Sequence, residues 1–181
     1  MRRTLFVLFA ALCTLAGCAR VPPAPAAADL ARIDRLLALV DARLALAPEV
    51  ARAKWVAGAP IDDPDRERLL LERTLGQARA AGLDGGLAAD FLQAQIDASK
   101  AVQRDLFERW RRRPPAPGPV PDLQHEVRPR LDTITRDMIG ALREVAPLDA
   151  GRVIARRARA AIADETGGTA RAIAIAPLVP R

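Results

Sequence analysis

From Asp29 onward the apolar residues return every three or four positions: Leu30, Ile33, Leu36, Leu37, Val40 and Leu44. Only a helix puts residues so spaced on one side, and the stripe must then be buried against other helices. The same period carries Phe91, Leu92, Ile96, Val102, Leu106, Phe107 and Trp110 further along. Composition agrees with this. Half the chain is hydrophobic and dominated by the strong helix formers Ala and Leu, while aromatics make up 3% and Tyr is absent. A chain of 181 residues can build one domain with a sizeable core. The expected fold is all-α, a single helical bundle.

Glycine, proline and capping residues divide that pattern. The first helix bends or ends near Pro48, and a second runs from Pro48 to Val56 before Gly58-Ala59-Pro60 breaks it. Asp63-Pro64 is a helix start: the carboxylate suits the N-cap, and Pro suits a first position that needs no N–H. That helix is expected to reach Ala81 and stop at Gly82. A long helix then follows Asp84-Gly85-Gly86 and reaches Arg112. Five prolines within residues 114–121 force an extended connection. Helices are expected again from Leu123 to Ala146 and from Asp149 to Glu165, with Gly167-Gly168 as the stop and residues 166–181 as a short tail. Neither half has enough helices to bury a core alone, so one domain over residues 29–165 is expected.

The N-terminus reads as an export signal. Arg2 and Arg3 precede an apolar run of twelve residues, Thr4 to Leu15, too short to span a bilayer comfortably. Leu15-Ala16-Gly17-Cys18 then has the form of a bacterial lipobox, which makes Cys18 the expected lipidation site and residues 1–18 the signal. The Pro/Ala-rich residues 19–28 would tether the domain. Cleavage removes Cys13, so the exported domain has no disulfide and depends on core packing. The formal net charge is +6, almost all from arginine, with lysine only at Lys54 and Lys100. Export and the lack of aromatics among the arginines argue against nucleic acid. A solvated basic face or attraction of a small anion fits better.

Three clusters could carry chemistry, and each also has a purely structural explanation. Gln95, Ser99 and Gln103 lie four residues apart, so one face of a largely apolar helix is polar. Such a row is either a hydrogen-bond network between helices or a lining for a polar ligand. Lys54, beside Trp55, offers a compact point charge in a chain that otherwise uses the planar arginine fork. Asp63, Arg66 and Glu67 gather at one helix start, where Asp63 could serve only as a cap.

Taken together, these positions resemble a family. Arg43, Lys54 eleven residues on, then Asp63, Arg66 and Glu67, then Ser99 and Gln103 resemble the active-site pattern of the AroQ-type all-α chorismate mutases. The strings Asp41-Ala42-Arg43-Leu44, Ala53-Lys54-Trp55, Pro60-Ile61-Asp62-Asp63 and Gln95-Ile96-Asp97-Ala98-Ser99-Lys100 are similar to the secreted (gamma) subclass. So are the export signal, the Pro-rich connection and the second helical half. The likeness covers roughly residues 29–165, and its joint spacing is more specific than any single motif.

The resemblance implies a one-substrate pericyclic rearrangement of chorismate to prephenate, with no cofactor and no metal. Arg43 and Arg66 would bind the substrate carboxylates, and Ser99 would support one of them. Lys54 and Gln103 would donate to the ether oxygen, where negative charge grows as the C–O bond breaks. Glu67, with the backbone near Asp63, would bind the ring hydroxyl. The subclass takes a further arginine from the second helical half, for which Arg128 is expected and Arg130 is the fallback. The disulfide that some secreted members have near the C-terminus is absent here. A homodimer is the expected assembly, with chorismate as small-molecule partner, no nucleic acid, and membrane contact only through a lipid anchor. Two alternatives stay open: an isochorismate pyruvate-lyase-like activity, and a non-catalytic helical envelope lipoprotein. The second would leave Arg43, Lys54, Arg66 and Gln103 ungathered.

Overall fold

A computed structural model describes residues 26–148, 150–160 and 165–179. The export signal, most of the tether, Cys18 and the expected helix start at Asp149 lie outside the described residues. Among the described residues seven α-helices follow in order: α1 (Ala27–Leu44), α2 (Ala47–Ala57), α3 (Pro64–Ala80), α4 (Gly85–Arg112), α5 (Arg128–Val145), α6 (Gly151–Ala160) and α7 (Glu165–Ile175). No strand occurs among the described residues, and no helix there is long and apolar enough to cross a membrane.

Local chemistry sets most boundaries. Asp63 Oδ1 accepts from the Arg66 amide at 3.3 Å with Pro64 as the first helical residue, so α3 starts on a capped end. Asp84 does the same for α4, accepting from the Leu87 amide at 2.8 Å. Gly58 (φ 62°) and Gly82 (φ 73°) close α2 and α3 in the left-handed region that glycine enters without a Cβ penalty. The proline run leads into a π-helical turn, Leu123–Val127, directly before α5. Asp122 caps that turn by accepting from the Gln124 and His125 amides, both at 2.8 Å, and its second oxygen lies 2.9 Å from the ring of His125.

The main core joins α1 (Ile33, Leu36, Leu37, Val40), α4 (Ala88, Phe91, Leu92, Ala98), α5 (Met138, Ile139, Leu142, Val145), α6 (Ile154, Ala158) and α7 (Ala170, Ala174, Ile175). A smaller cluster of Leu46, Val50 and Val127, flanked by Leu123 and Leu131, ties α2 to the start of α5. That second cluster brings the two halves of the chain around one pocket.

One expectation fails after α5. Gly167-Gly168 does not stop a helix: α7 runs from Glu165 through both glycines, and a 3₁₀ turn, Ala176–Leu178, follows it. Each glycine costs a helix about 1 kcal/mol relative to alanine. Burial of Ala170, Ala174 and Ile175 against the core outweighs that local penalty. Gln95 on α4 adds a tie by donating to the Ala174 carbonyl at 2.7 Å. That carbonyl is in the last turn of α7, where it has no intrahelical partner.

Candidate active site

Five segments converge on one pocket. Arg43 comes from the end of α1, and Lys54 from α2. Asp63, Arg66 and Glu67 come from the start of α3, and Ser99, Lys100 and Gln103 from one face of α4. Arg128 and Asp132, one helical turn apart, come from α5. Val50, Ile61, Leu70, Ile96, Leu123 and Leu131 supply apolar wall.

Of its cations, Lys100 is neutralised by Glu67 and Asp62, and four others are not. Arg43 is 6% exposed and donates from Nη1 to the Gln95 carbonyl at 3.0 Å, while its buried Nε has no partner. Lys54 Nζ donates to the Ile61 carbonyl at 2.6 Å. Arg128 donates from Nη1 to the Gln124 side chain, and its buried Nε also lacks a partner. None of Arg43, Lys54, Arg66 and Arg128 forms an ion pair among the described residues. The nearby acids are engaged elsewhere. Asp132 pairs with Arg73 at 2.9 Å. Glu67 accepts the Asp63 amide at 3.1 Å and the Lys100 ammonium at 3.0 and 3.1 Å.

Burial therefore dominates the electrostatics. It pushes the Arg43 guanidinium down to about 10, opposed by Asp132, so the group is still charged at neutral pH. Lys54 is lowered for the same reason. Asp63, Glu67 and Asp62 counter that shift, and Arg128 adds to it. Arg66 is lowered by burial and then by the neighbouring Arg128 charge. A partly buried pocket with several unpaired cations is suited to a compact polyanion.

Gln103 is buried beside them. Its Nε2 donates to the Ser99 carbonyl and Oγ, both at 3.2 Å, while Oε1 has no partner. A half-turn of the amide would give up the carbonyl contact. It would set Oε1 against the Ser99 hydroxyl and place Nε2 where Oε1 now stands.

Comparison with known proteins decides the family. The sequence profile of Chorismate mutase type II matches residues 28–104. A secreted chorismate mutase of Mycolicibacterium smegmatis is 38% identical over 138 residues, which cover 74% of this chain and 75% of that protein. The chain belongs to the chorismate mutase type II family. The secreted chorismate mutase of Mycobacterium tuberculosis is 31% identical, covering 66% of this chain and 63% of that protein. The crystal structure of the chorismate mutase from Burkholderia thailandensis superposes with a TM-score of 0.77 at 38% identity, covering 81% of this chain and 98% of that one.

Within this chorismate mutase fold, the expected residues Arg43, Lys54, Asp63, Arg66, Glu67, Ser99, Gln103 and Arg128 all line the one pocket. Arg130 does not. It is exposed and pairs with Glu49 at 2.8 Å. Gln95, the first member of the polar row, also stays outside. Its side chain ties α4 to α7, so the structural explanation holds for that residue. Sequence reasoning missed Lys100 and Asp132. Lys100 had a signal, since lysine is so rare in this chain. Asp132 had a weaker one, its place one helical turn beyond Arg128.

Proposed function

We propose that this chain converts chorismate to prephenate in the pocket between α2, α3, α4 and α5. The observation that carries the reading is the gathering of Arg43, Lys54, Arg66 and Arg128, unpaired, around the buried amide of Gln103. Chorismate brings two carboxylates, a ring hydroxyl and an ether oxygen. Arg43, Arg66 and Arg128 take the carboxylates, with Ser99 in support. They hold a flexible dianion in the compact pseudo-diaxial form needed for reaction, which removes an entropic part of the barrier. Glu67 accepts the ring hydroxyl, with its orientation set by the Asp63 amide. Lys54 and the turned-over amide of Gln103 donate to the ether oxygen. Fixed donors aimed where charge develops stabilise the transition state more than the ground state. The step is unimolecular and needs neither base nor nucleophile. The alternative of a non-catalytic envelope lipoprotein would leave Arg43, Lys54, Arg66 and Gln103 ungathered, and they line one pocket.

Incubating the purified protein with chorismate tests this. The ultraviolet absorbance of chorismate should fall as prephenate appears in the proton NMR spectrum. A rate equal to the uncatalysed one would overturn the reading.

Export is part of the same proposal, supported by the N-terminal signal and by relatives named as secreted enzymes. The mature protein is periplasmic and anchored by a lipid on Cys18. Cys18→Ala should then release it from the membrane fraction or block its processing. A wild-type protein already free of the membrane, with its N-terminus beyond residue 18, would sink the anchor. We further propose a homodimer in which each chain carries its own pocket, supported by the five segments of one chain that already surround it, so activity should not depend on protein concentration.

A further inference from the structure

Of the 28 lysines and arginines in the chain only two are lysines, and both line the pocket. Lys54 has a part in the chemistry. Lys100 does not, although it is fixed more firmly. Its Nζ lies 3.1 and 3.0 Å from the two oxygens of Glu67 and 2.6 Å from Asp62 Oδ1, with the side chain only 15% exposed. Burial opposes the Lys100 charge, but hydrogen bonds to Asp62 and Glu67 outweigh it and the ammonium is held above its ordinary range. Glu67 is thus gripped from two sides, by Lys100 across both oxygens and by the Asp63 amide on Oε1.

That grip answers a problem the pocket creates. A carboxylate beside several unpaired cations is drawn towards them, and the charge of Glu67 already acts on Lys54. A Glu67 that swung onto Lys54 would neutralise the donor to the ether oxygen and abandon the ring hydroxyl. The three donors of an ammonium can reach two carboxylates from one point, which a planar guanidinium fork does less well. A lysine in a chain built on arginine is then intelligible.

We propose that Lys100 is a positioning residue that holds Glu67 on the ring hydroxyl of the substrate and away from Lys54. The inference rests on the chorismate reading above. It predicts that Lys100 acts through Glu67 and not on the substrate directly.

The test is a double-mutant cycle of Lys100→Met, Glu67→Gln and their combination. Each is assayed with chorismate and with an analogue lacking the ring hydroxyl, and folding is followed by circular dichroism. Lys100→Met should lower kcat/KM for chorismate about tenfold. The double variant should lose no more than Glu67→Gln alone, and Lys100→Met should lose less on the analogue than on chorismate, because only the part of the loss that runs through Lys54 remains there. Wild-type activity in Lys100→Met, or an unaffected Glu67→Gln, would overturn the proposal. So would losses that multiply, or an equal loss on the analogue. If Lys100→Met does not fold, Lys100→Leu, which likewise removes every donor to Glu67, is read the same way. A wild-type protein inactive on chorismate would break the underlying reading instead, and the two failures are distinguishable.

Discussion

Arg43 and Arg171 are both buried, at 6% and 7% exposure, and the chain treats their charges in opposite ways. Arg171 on α7 meets Asp41 with two nitrogens, each at 2.8 Å, and donates to the Ala158 carbonyl at 2.8 Å. Its charge is balanced inside the protein. Arg43 has one carbonyl and, among the described residues, no ion pair. The two systems share one helix, since Asp41 and Arg43 stand two residues apart on α1 and point to different sides. An uncompensated buried charge costs several kcal/mol in general, so a fold that keeps one is balanced by something beyond the chain. The contrast separates residues that hold the protein together from residues that wait for a ligand. Removing the first should cost stability, and removing the second should cost activity.

The sharpest attempt to break that separation is Lys54→Ala. Loss of one preorganised donor at a developing oxyanion costs on the order of 10²–10³ in rate. The variant should lose kcat by that factor and unfold within a few degrees of wild type. Near-normal kcat would remove Lys54 from the mechanism. Lys54 also sets the wild-type pH profile. The donor is the protonated form, and burial lowers its pKa. Activity should therefore stay level from about pH 5 to 8 and fall on the alkaline side, earlier than an exposed lysine would allow. A fall between pH 5 and 8 would implicate a different group.

How legible these two classes of residue are in the sequence depends on the range of the forces involved. Asp63-Pro64 and Gly82 announce helix ends because caps and left-handed backbone act within four residues. Gly167-Gly168 misleads for the same reason, since the local penalty is visible and the packing of α7 on α4 is not. Gln95 and Gln103 have the same residue type on the same helical row, yet one meets a carbonyl 79 residues away and the other faces the pocket. Periodicity cannot separate them. It shows that Arg128 and Arg130 point apart, but the Val50 and Val127 cluster decides which faces inward. Asp132 was hidden by its charge, because a carboxylate looks wrong in an anion pocket until Arg73 is seen to hold it.

Gln103→Glu sharpens the comparison by changing one donor and nothing else in size. A neutral amide donates at any ordinary pH, whereas a glutamate must be protonated to do so. Above neutral pH the variant should be slower by about 10²-fold. It should recover as the pH falls, the opposite of a stability defect at acid pH. A flat profile would mean that Gln103 does not face the ether oxygen.

Arg128 and Arg130 give a smaller effect with an internal control. Arg128→Ala removes a charged hydrogen bond worth about 1.5–3 kcal/mol and should raise KM tenfold or more. Arg130 pairs with Glu49 on the surface, where such pairs are worth at most about 1 kcal/mol, and Arg130→Ala should leave kinetics unchanged. An effect of equal size from both would point to general basic charge rather than a clamp.

Arg171→Met should change kinetics little and stability more, and there the comparison is most exposed to failure. Removing the guanidinium strands Asp41, but Asp41 is 46% exposed and water can take up much of its charge. The loss should be about 1–3 kcal/mol, below that of breaking a fully buried pair, and Tm should fall by several degrees. Burial already raises the Asp41 pKa and Arg171 opposes it, so without Arg171 the carboxyl is protonated more easily. The folded variant then binds that proton more readily than the unfolded chain. Its deficit against wild type should shrink as the pH is lowered towards 4 and be greatest above neutrality. kcat/KM measured well below Tm should stay within about threefold of wild type. A larger loss in folded protein would have a defined route, because Ala174 on α7 accepts from the Gln95 side chain and the Gln95 carbonyl holds Arg43. The stabilising and the catalytic charge would then be one coupled system. Gln95→Leu, which cuts that route and leaves Arg171 in place, should reproduce the kinetic loss if the coupling is real and spare kcat/KM if it is not.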